Sequence, residues 1–293
     1  MVLVDAYAWI FRAFYALPDF RNRAGEPTAV VHGFLSTIPK LAAFAEAQSG
    51  ARAEMAVFFD RGGSQERLAA YADYKANRPE TPEDLKVQVP WIEEALSAMG
   101  IPQVAIYGVE ADDSIASMAI ELARAGRNVW IASNDKDFFQ ILSDRIRLIR
   151  APGRGEDFQL YDRGKLLEKF GLAPEAMPEF YALVGDAVDN VPGVKGIGEK
   201  TAAKLLKQFP SLDEIYENLH RLPKSAAKIL EKGRKDAYLS LNLVRLRTDL
   251  AVQAVPVPYD PSRFDVDRLS ALLSRLDLRR LADRMMGSVQ IRD

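Results

Sequence analysis

Trp130-Ile131-Ala132-Ser133-Asn134-Asp135 is a short apolar run that ends on an aspartate. Two earlier stretches repeat the pattern, Val2-Leu3-Val4-Asp5 and Ala56-Val57-Phe58-Phe59-Asp60. Such runs read as buried strands of an α/β sheet, and ligands bind beyond the carboxyl ends of those strands. Further strands are expected at 104–106 and 145–149. Helices are expected over 32–48, 89–99 and 114–125, the last two stopped by Gly100 and Gly126. The alternation predicts a mostly parallel, twisted sheet with helices on both faces.

After Pro152-Gly153-Arg154-Gly155, an expected exposed turn, nearly every segment reads as helix broken by proline or glycine. This divides the chain into an α/β domain, residues 1–165, and a helical domain, residues 166–293. In the second, 255–263 reads as extended and 267–285 as one amphipathic helix. The chain of 293 residues is long enough for two domains, and 48% hydrophobic with 27% charged residues is an ordinary soluble composition. No apolar stretch approaches the ~20 residues that span a bilayer. Cysteine is absent, which fits a reducing cytoplasm and excludes thiolate metal sites. With only His32 and His220, any metal should be a hard, oxygen-bound one. The net charge of −2 hides a basic stretch: between Gly193 and Lys235 ten Lys/Arg stand against five Asp/Glu. A basic segment beside an acidic cluster suits a protein that grips a polyanion and presents metal to it; a solvated helical face is the plainer alternative.

Nine carboxylates could converge at the strand ends. Asp5, Asp60, Glu110 and Asp112 could form one divalent-ion site, and Asp135, Asp137, Asp186 and Asp189 a second. Asp113 fits either site, or a helix cap. Two Mg2+ or Mn2+ ions need many oxygen ligands; a lone aspartate after a strand is usually a turn or cap. Beyond Asp60, Tyr74-Lys75-Ala76-Asn77-Arg78 puts Lys75 and Arg78 on one face if helical, placed to clamp a scissile phosphate. The alternative is a mobile, solvated loop. Pro192-Gly193-Val194-Lys195-Gly196-Ile197-Gly198 precedes an amphipathic helix over 199–209. Its glycines and exposed N–H groups favour a phosphate, so Gly196, Ile197, Gly198, Lys200, Thr201 and Lys204 are the expected DNA contacts.

Together these residues resemble the 5′-nuclease (flap endonuclease) superfamily, nearest to the 5′→3′ exonuclease domain of bacterial DNA polymerase I or its free-standing relatives. The marks are Leu3-Val4-Asp5 with Phe11-Arg12-Ala13-Phe14, Val57-Phe58-Phe59-Asp60, Tyr74-Lys75-Ala76-Asn77-Arg78-Pro79, Glu110-Ala111-Asp112-Asp113, Asn134-Asp135-Lys136-Asp137, and Gly185-Asp186 through Gly198-Glu199-Lys200-Thr201. The resemblance covers essentially the whole chain. It implies a PIN-like or resolvase-like sheet, then a helix–three-turn–helix DNA-binding element with its hairpin at 192–201. It assigns the nine acids to a two-metal site, and Lys75 and Arg78 to the base of an arch (about 61–88) that 5′ ends thread through. It also implies a K+ ion held by the backbone carbonyls of Leu183, Val184, Pro192, Val194 and Ile197. The implied activity is 5′→3′ exonuclease and flap endonuclease action in DNA replication and repair. The implied partners are flap, nicked or branched DNA, an RNA primer strand, and a DNA polymerase, fused or separate, with the chain itself a monomer. One departure is Ala6, where the family usually has glycine.

Rival readings fit less well. A topoisomerase–primase fold wants a glutamate after its first strand, where Asp5 stands, and a haloacid-dehalogenase phosphatase wants Asp-x-Asp there. A catalytically inactive duplex-DNA-binding scaffold is the alternative from a different class.

Overall fold

The computed structural model describes residues 1–151, Gly153 and 157–290, with side chains through Met285. The turn expected at 152–155 lies outside the described residues except for Gly153. Seven strands form one sheet: β1 (Val2–Asp5), β2 (Glu54–Phe58), β3 (Gln103–Val104), β4 (Val129–Ala132), β5 (Ile146–Arg150), β6 (Gln159–Tyr161) and β7 (Val257–Pro258). The spatial order is β3-β2-β1-β4-β5-β6, parallel except for β6, while β7 pairs antiparallel with the start of β2. The third strand is shorter than expected, because the chain turns at Ala105 towards Gly108, which has a positive φ of 79°.

Register explains why the strands are apolar throughout. Leu3 lies between Ala56 and Ile131, and Val4 between Val57 and Ala132. Leu3, Ala56 and Ile131 face one core, while Val4, Val57 and Ala132 face the other. A sheet covered on both faces has no wet side, so alternation disappears. The chain builds β1, β2 and β3 outward in one direction, then crosses back to place β4 on the other side of β1. The order therefore reverses between β1 and β4, and a crevice opens at their carboxyl ends. Asp5 and Asp135 stand there.

Helices α1 (Ala6–Ala16), α2 (Ala29–Ser49), α3 (Gln65–Ala70), α4 (Glu83–Lys86), α5 (Val89–Ala98) and α6 (Ala111–Arg124) accompany the first strands. Asp5 caps α1 by accepting from the Ala8 N–H at 3.2 Å. Gly100 and Gly126 take positive φ values of 67° and 82° at the ends of α5 and α6, as their spacing predicts. Next come α7 (Arg163–Phe170), α8 (Met177–Val184), α9 (Glu199–Gln208), α10 (Leu212–Glu217), α11 (Lys224–Lys232) and α12 (Arg234–Val244). Their core is continuous with one face of the sheet: Tyr181, Leu205 and Leu243 belong to the same buried cluster as Leu3 and Ile131.

The end of the chain departs from the expected division. Instead of staying with the helical layer, β7 joins the sheet. Helices α13 (Val266–Arg275) and α14 (Arg279–Gln290) then bury Leu269, Leu272, Leu281 and Met285 in the opposite core. The single helix expected over 267–285 is two, broken at Asp277, whose φ is +56° and whose carboxylate accepts from the Arg23 N–H at 2.8 Å. Neither proline nor glycine marks that break. Among the described residues, no helix is long and apolar enough to cross a membrane.

Candidate metal centre

Asp112, Asp135 and Asp137 each bring a carboxylate oxygen within 4.8 Å of the other two. Asp112 stands in the first turn of α6, and Asp135 and Asp137 follow β4, so strand end and helix start meet at the crevice. Among the described residues none of these three has a salt-bridge partner, and at Asp135 and Asp137 burial and mutual repulsion outweigh the opposing pull of Lys75 and Lys136. Burial first, then Asp112, lifts Asp135 to about 6. Burial, then Asp135, lifts Asp137 well above the usual carboxylate range.

Asp5 and Asp60 flank this trio. The Ser133 hydroxyl donates to Asp5 at 2.7 Å, and the Ala111 N–H donates to Asp60 at 2.8 Å. Burial, with Asp60 and Asp112 adding to it, raises Asp5 to about 7. Burial and Asp112 likewise raise Asp60.

The other four acids already hold protein cations. Glu110, 3% exposed, accepts from Lys75 Nζ at 2.6 Å and from Arg67 at 2.8 Å. Asp189 binds Arg78 through Nε at 3.0 Å, with Lys75 Nζ at 3.7 Å. Asp186 pairs with Lys136 at 3.0 Å. Burial alone would lower the Lys75 ammonium, but Asp112 and Glu110 outweigh it and hold it above its ordinary value.

Asp113 is a different case and corrects the expectation of a ninth metal ligand. It is 1% exposed, and Arg67 grips it with two bonds of 2.7 and 2.8 Å while the Arg247 N–H donates at 2.9 Å. Both oxygens are committed. Arg67 also donates to the carbonyls of Leu243 and Arg245, so it ties α3, α6 and the end of α12 together.

The segment 61–88 is folded, not a mobile loop. Lys75 takes a positive φ of 58°, and its N–H donates to the Asp189 carbonyl at 3.0 Å. Asn77 donates to the Ala187 carbonyl and Asn190 to the Asp73 carbonyl, each at 2.7 Å. These bonds stitch the basic stretch to the Asp186–Asn190 loop and bring Lys75 and Arg78 to the crevice, in turns and not on one helical face. The sequence gives no individual role to Arg67, Lys136, Ser133, Asn77 or Asn190, although Arg67 stands in the basic stretch after Asp60 and Ser133, Asn77 and Lys136 stand inside the motifs quoted above.

At the hairpin, Gly185 and Gly193 lie back to back with φ values of 78° and 61°. A Cβ on Gly193 would stand 2.4 Å from the Gly185 nitrogen, so glycine is the residue that fits. The Leu183 carbonyl accepts from the Val194 N–H, and the Val194 carbonyl from the Ile197 N–H, each keeping a second lone pair. Val184 closes α8, and Pro192 and Ile197 belong to the stretch that leads into α9. Gly196, Gly198, Lys200, Thr201 and Lys204 are exposed at and after the start of α9. Ile197 is not: its side chain is 5% exposed and sits in the core, so only its backbone can meet a ligand.

Acids massed where a parallel sheet reverses order, with lysine and arginine pinned beside them, suit a phosphodiester far better than a neutral substrate. The class is that of α/β proteins with a carboxylate-lined edge where the parallel sheet reverses order. Residues 1–171 match the 5′-3′ exonuclease N-terminal resolvase-like domain, and residues 172–267 the 5′-3′ exonuclease C-terminal SAM fold. The chain belongs to the 5′-3′ exonuclease family. A 5′-3′ exonuclease of Aquifex aeolicus is 35% identical over 281 residues, covering 96% of this chain and 93% of that one. The thermostable DNA polymerase I of Thermus aquaticus is 38% identical over 278 residues, which is 94% of this chain and 32% of the relative. The chain thus spans about a third of the length of the DNA polymerase I relatives it matches. Among solved structures, T5 5′-exonuclease with bound divalent metal ions (zinc) superposes with a TM-score of 0.68 at 24% identity, over 98% of each chain. That likeness is one of fold.

Proposed function

We propose that this protein is a divalent-metal-dependent 5′-nuclease that hydrolyses DNA phosphodiesters at 5′ ends and flap junctions. The observation that carries the reading is the unpaired trio Asp112, Asp135 and Asp137 beside Lys75 and Arg78. The donor set fits the ions: all ligands are hard oxygens, and burial has raised carboxylates that a cation would return to their charged form. Asp112, Asp135 and Asp137, with Asp5, Asp60, Glu110, Asp186 and Asp189 around them, would hold two Mg2+ or Mn2+ ions. When bound, such ions supply hydroxide at neutral pH and offset charge on the phosphate.

The chain's own residues do the rest. Ser133 orients Asp5, and Arg67 fixes Glu110 so that the acids keep their places. Lys75 and Arg78 turn from Glu110 and Asp189 onto the non-bridging oxygens of the scissile phosphate. Water adds its oxygen to phosphorus as the P–O3′ bond breaks, its proton ends on the departing 3′ oxygen, and the products would be a 3′-hydroxyl and a 5′-phosphate. Residues 166–256 grip the duplex through the hairpin, with a K+ ion on the carbonyls of Leu183, Val184, Pro192, Val194 and Ile197. Lys200, Thr201 and Lys204 meet the backbone of the duplex, and remote binding orients the reacting strand. The substrates are flap, nicked or branched DNA and an RNA primer strand, handled by a cytoplasmic monomer alongside, or within, a DNA polymerase.

Cleavage of a 5′-labelled flap duplex in Mg2+ or in EDTA, by wild type and Asp135→Ala, tests the proposal. Metal-dependent cutting at the junction, lost in the variant, is the expected result. Flap binding with no cutting under any divalent ion would leave the scaffold reading in its place.

A further inference from the structure

Tyr181 lies in the last turn of α8, a helix that packs against the 3-10 turn Asp137–Ile141. The residue is 4% exposed, and apolar neighbours set its ring. Phe180 meets it edge to face at 5.4 Å, and it shares a core with Phe138 and Leu183. Lys136 Nζ lies 4.9 Å from the ring centroid and reaches Asp186 at 3.0 Å. The ring therefore props the lysine that ties the Asp135-Lys136-Asp137 stretch to the Asp186 loop.

Packing accounts for the ring but not for the hydroxyl at its end. Tyr181 Oη is shielded from water and has no hydrogen-bond partner among the described residues. A buried polar group without a partner is destabilising, so phenylalanine would serve this core better. Burial, then Asp137, Asp135 and Asp186, hold the phenol above its ordinary pKa, with Arg150 opposing them. The oxygen keeps its proton and can donate. Asp137 stands in the complementary condition. Its N–H donates to Asp135 at 2.8 Å, but among the described residues nothing donates to its carboxylate. The charge that acts most strongly on this unpaired donor is thus an unpaired acceptor.

A carboxylate that binds a cation keeps lone pairs to spare, and a hydrogen bond to one of them fixes its orientation. Asp5 has the Ser133 hydroxyl for this purpose, Asp60 the Ala111 N–H and Asp135 the Asp137 N–H. Asp137 has no such donor. Resting on the two-ion reading above, we propose that Tyr181 is a positioning residue of the second ion site: with a divalent ion on Asp135 and Asp137, its hydroxyl donates to the Asp137 carboxylate and fixes its orientation. The hydroxyl then contributes nothing to the metal-free fold and acts only in the ion-bound protein.

Thermal melting in EDTA and calorimetric titration with Mn2+, both on the full chain, test this. Tyr181→Phe removes the oxygen and keeps the ring that carries Lys136. Tyr216→Phe is the control: its hydroxyl is also shielded and unpaired among the described residues, but it belongs to α10, with Arg234, Glu231 and Asp236 as its charged surroundings. In EDTA both variants should melt at or above the wild-type temperature. Wild type and Tyr216→Phe should bind two Mn2+ ions alike, while Tyr181→Phe should bind one of the two roughly tenfold more weakly. In an Asp137→Asn background, Tyr181→Phe should leave the affinity of the remaining ion unchanged. Three results would overturn the proposal: Tyr181→Phe binding both ions as wild type does, Tyr181→Phe melting below wild type in EDTA, or a further loss in the Asp137→Asn background. Failure of the nuclease reading looks different, because wild type itself would then bind no ions and both readings would fall.

Discussion

Replacing Asp135 by asparagine should make the metal-free protein more stable while removing its response to divalent ions. Burial and Asp112 raise this carboxyl from 3.8 to about 6, a difference of about two pH units. At 1.36 kcal/mol per unit this is a penalty of roughly 3 kcal/mol for holding the charged form in the folded state. The sign follows from linkage: a raised carboxyl binds more protons folded than unfolded. The penalty is therefore absent below about pH 4, grows as pH rises, and is complete above about pH 6. Asparagine keeps an oxygen for the Asp137 N–H, which now donates to Asp135 at 2.8 Å, so the turn survives. Urea unfolding at pH 8 in EDTA should show Asp135→Asn more stable by up to ~3 kcal/mol with an unchanged slope, and near parity at pH 3.5. Adding Mg2+ should stabilise wild type and not the variant. A variant less stable than wild type in EDTA at pH 8 would refute the reasoning, since the carboxylate would then be a structural group.

Three more outcomes are expected. Arg67→Met strands Asp113 as a buried charge and leaves Glu110 with Lys75 as its cation, and should cost about 3–5 kcal/mol in urea unfolding; a loss under about 1 kcal/mol would mean the clamp is dispensable. Gly193→Ala drives a methyl into the Gly185 backbone, so it should lower the melting temperature and abolish duplex binding, and unchanged binding would remove the hairpin from the interface. Lys200→Ala should weaken duplex binding and reduce its salt slope by about one while single-turnover cleavage holds its rate. A collapsed rate with intact binding would invert the division of roles.

The apolar runs ending at Asp5, Asp60 and Asp135 made the parallel sheet and its ligand edge legible, because burial on both faces leaves continuous hydrophobic strands. The glycine turn was equally readable, since Gly193 answers to a steric demand of the backbone itself. What stayed hidden depends on contacts between distant segments. Asp112 and Asp113 are neighbours in sequence and look alike, yet one joins the carboxylate trio and the other is locked to Arg67 in α3. Only the packing of α3 and α12 against α6 separates them. The stitching of Asn77 and Asn190 across more than a hundred residues is invisible for the same reason. The break at Asp277 and the return of α13 and α14 to the first domain's core also rest on tertiary packing, with no local breaker residue to announce them.

The central claim is that this carboxylate edge exists to hold divalent cations, and ion binding by the DNA-free protein tests it most directly. Titration with Mn2+, followed by calorimetry, should give saturable binding of two ions per chain, competed by Mg2+ and lost or halved in Asp112→Asn. No saturable binding in wild type, or binding that Asp112→Asn leaves untouched, would contradict it.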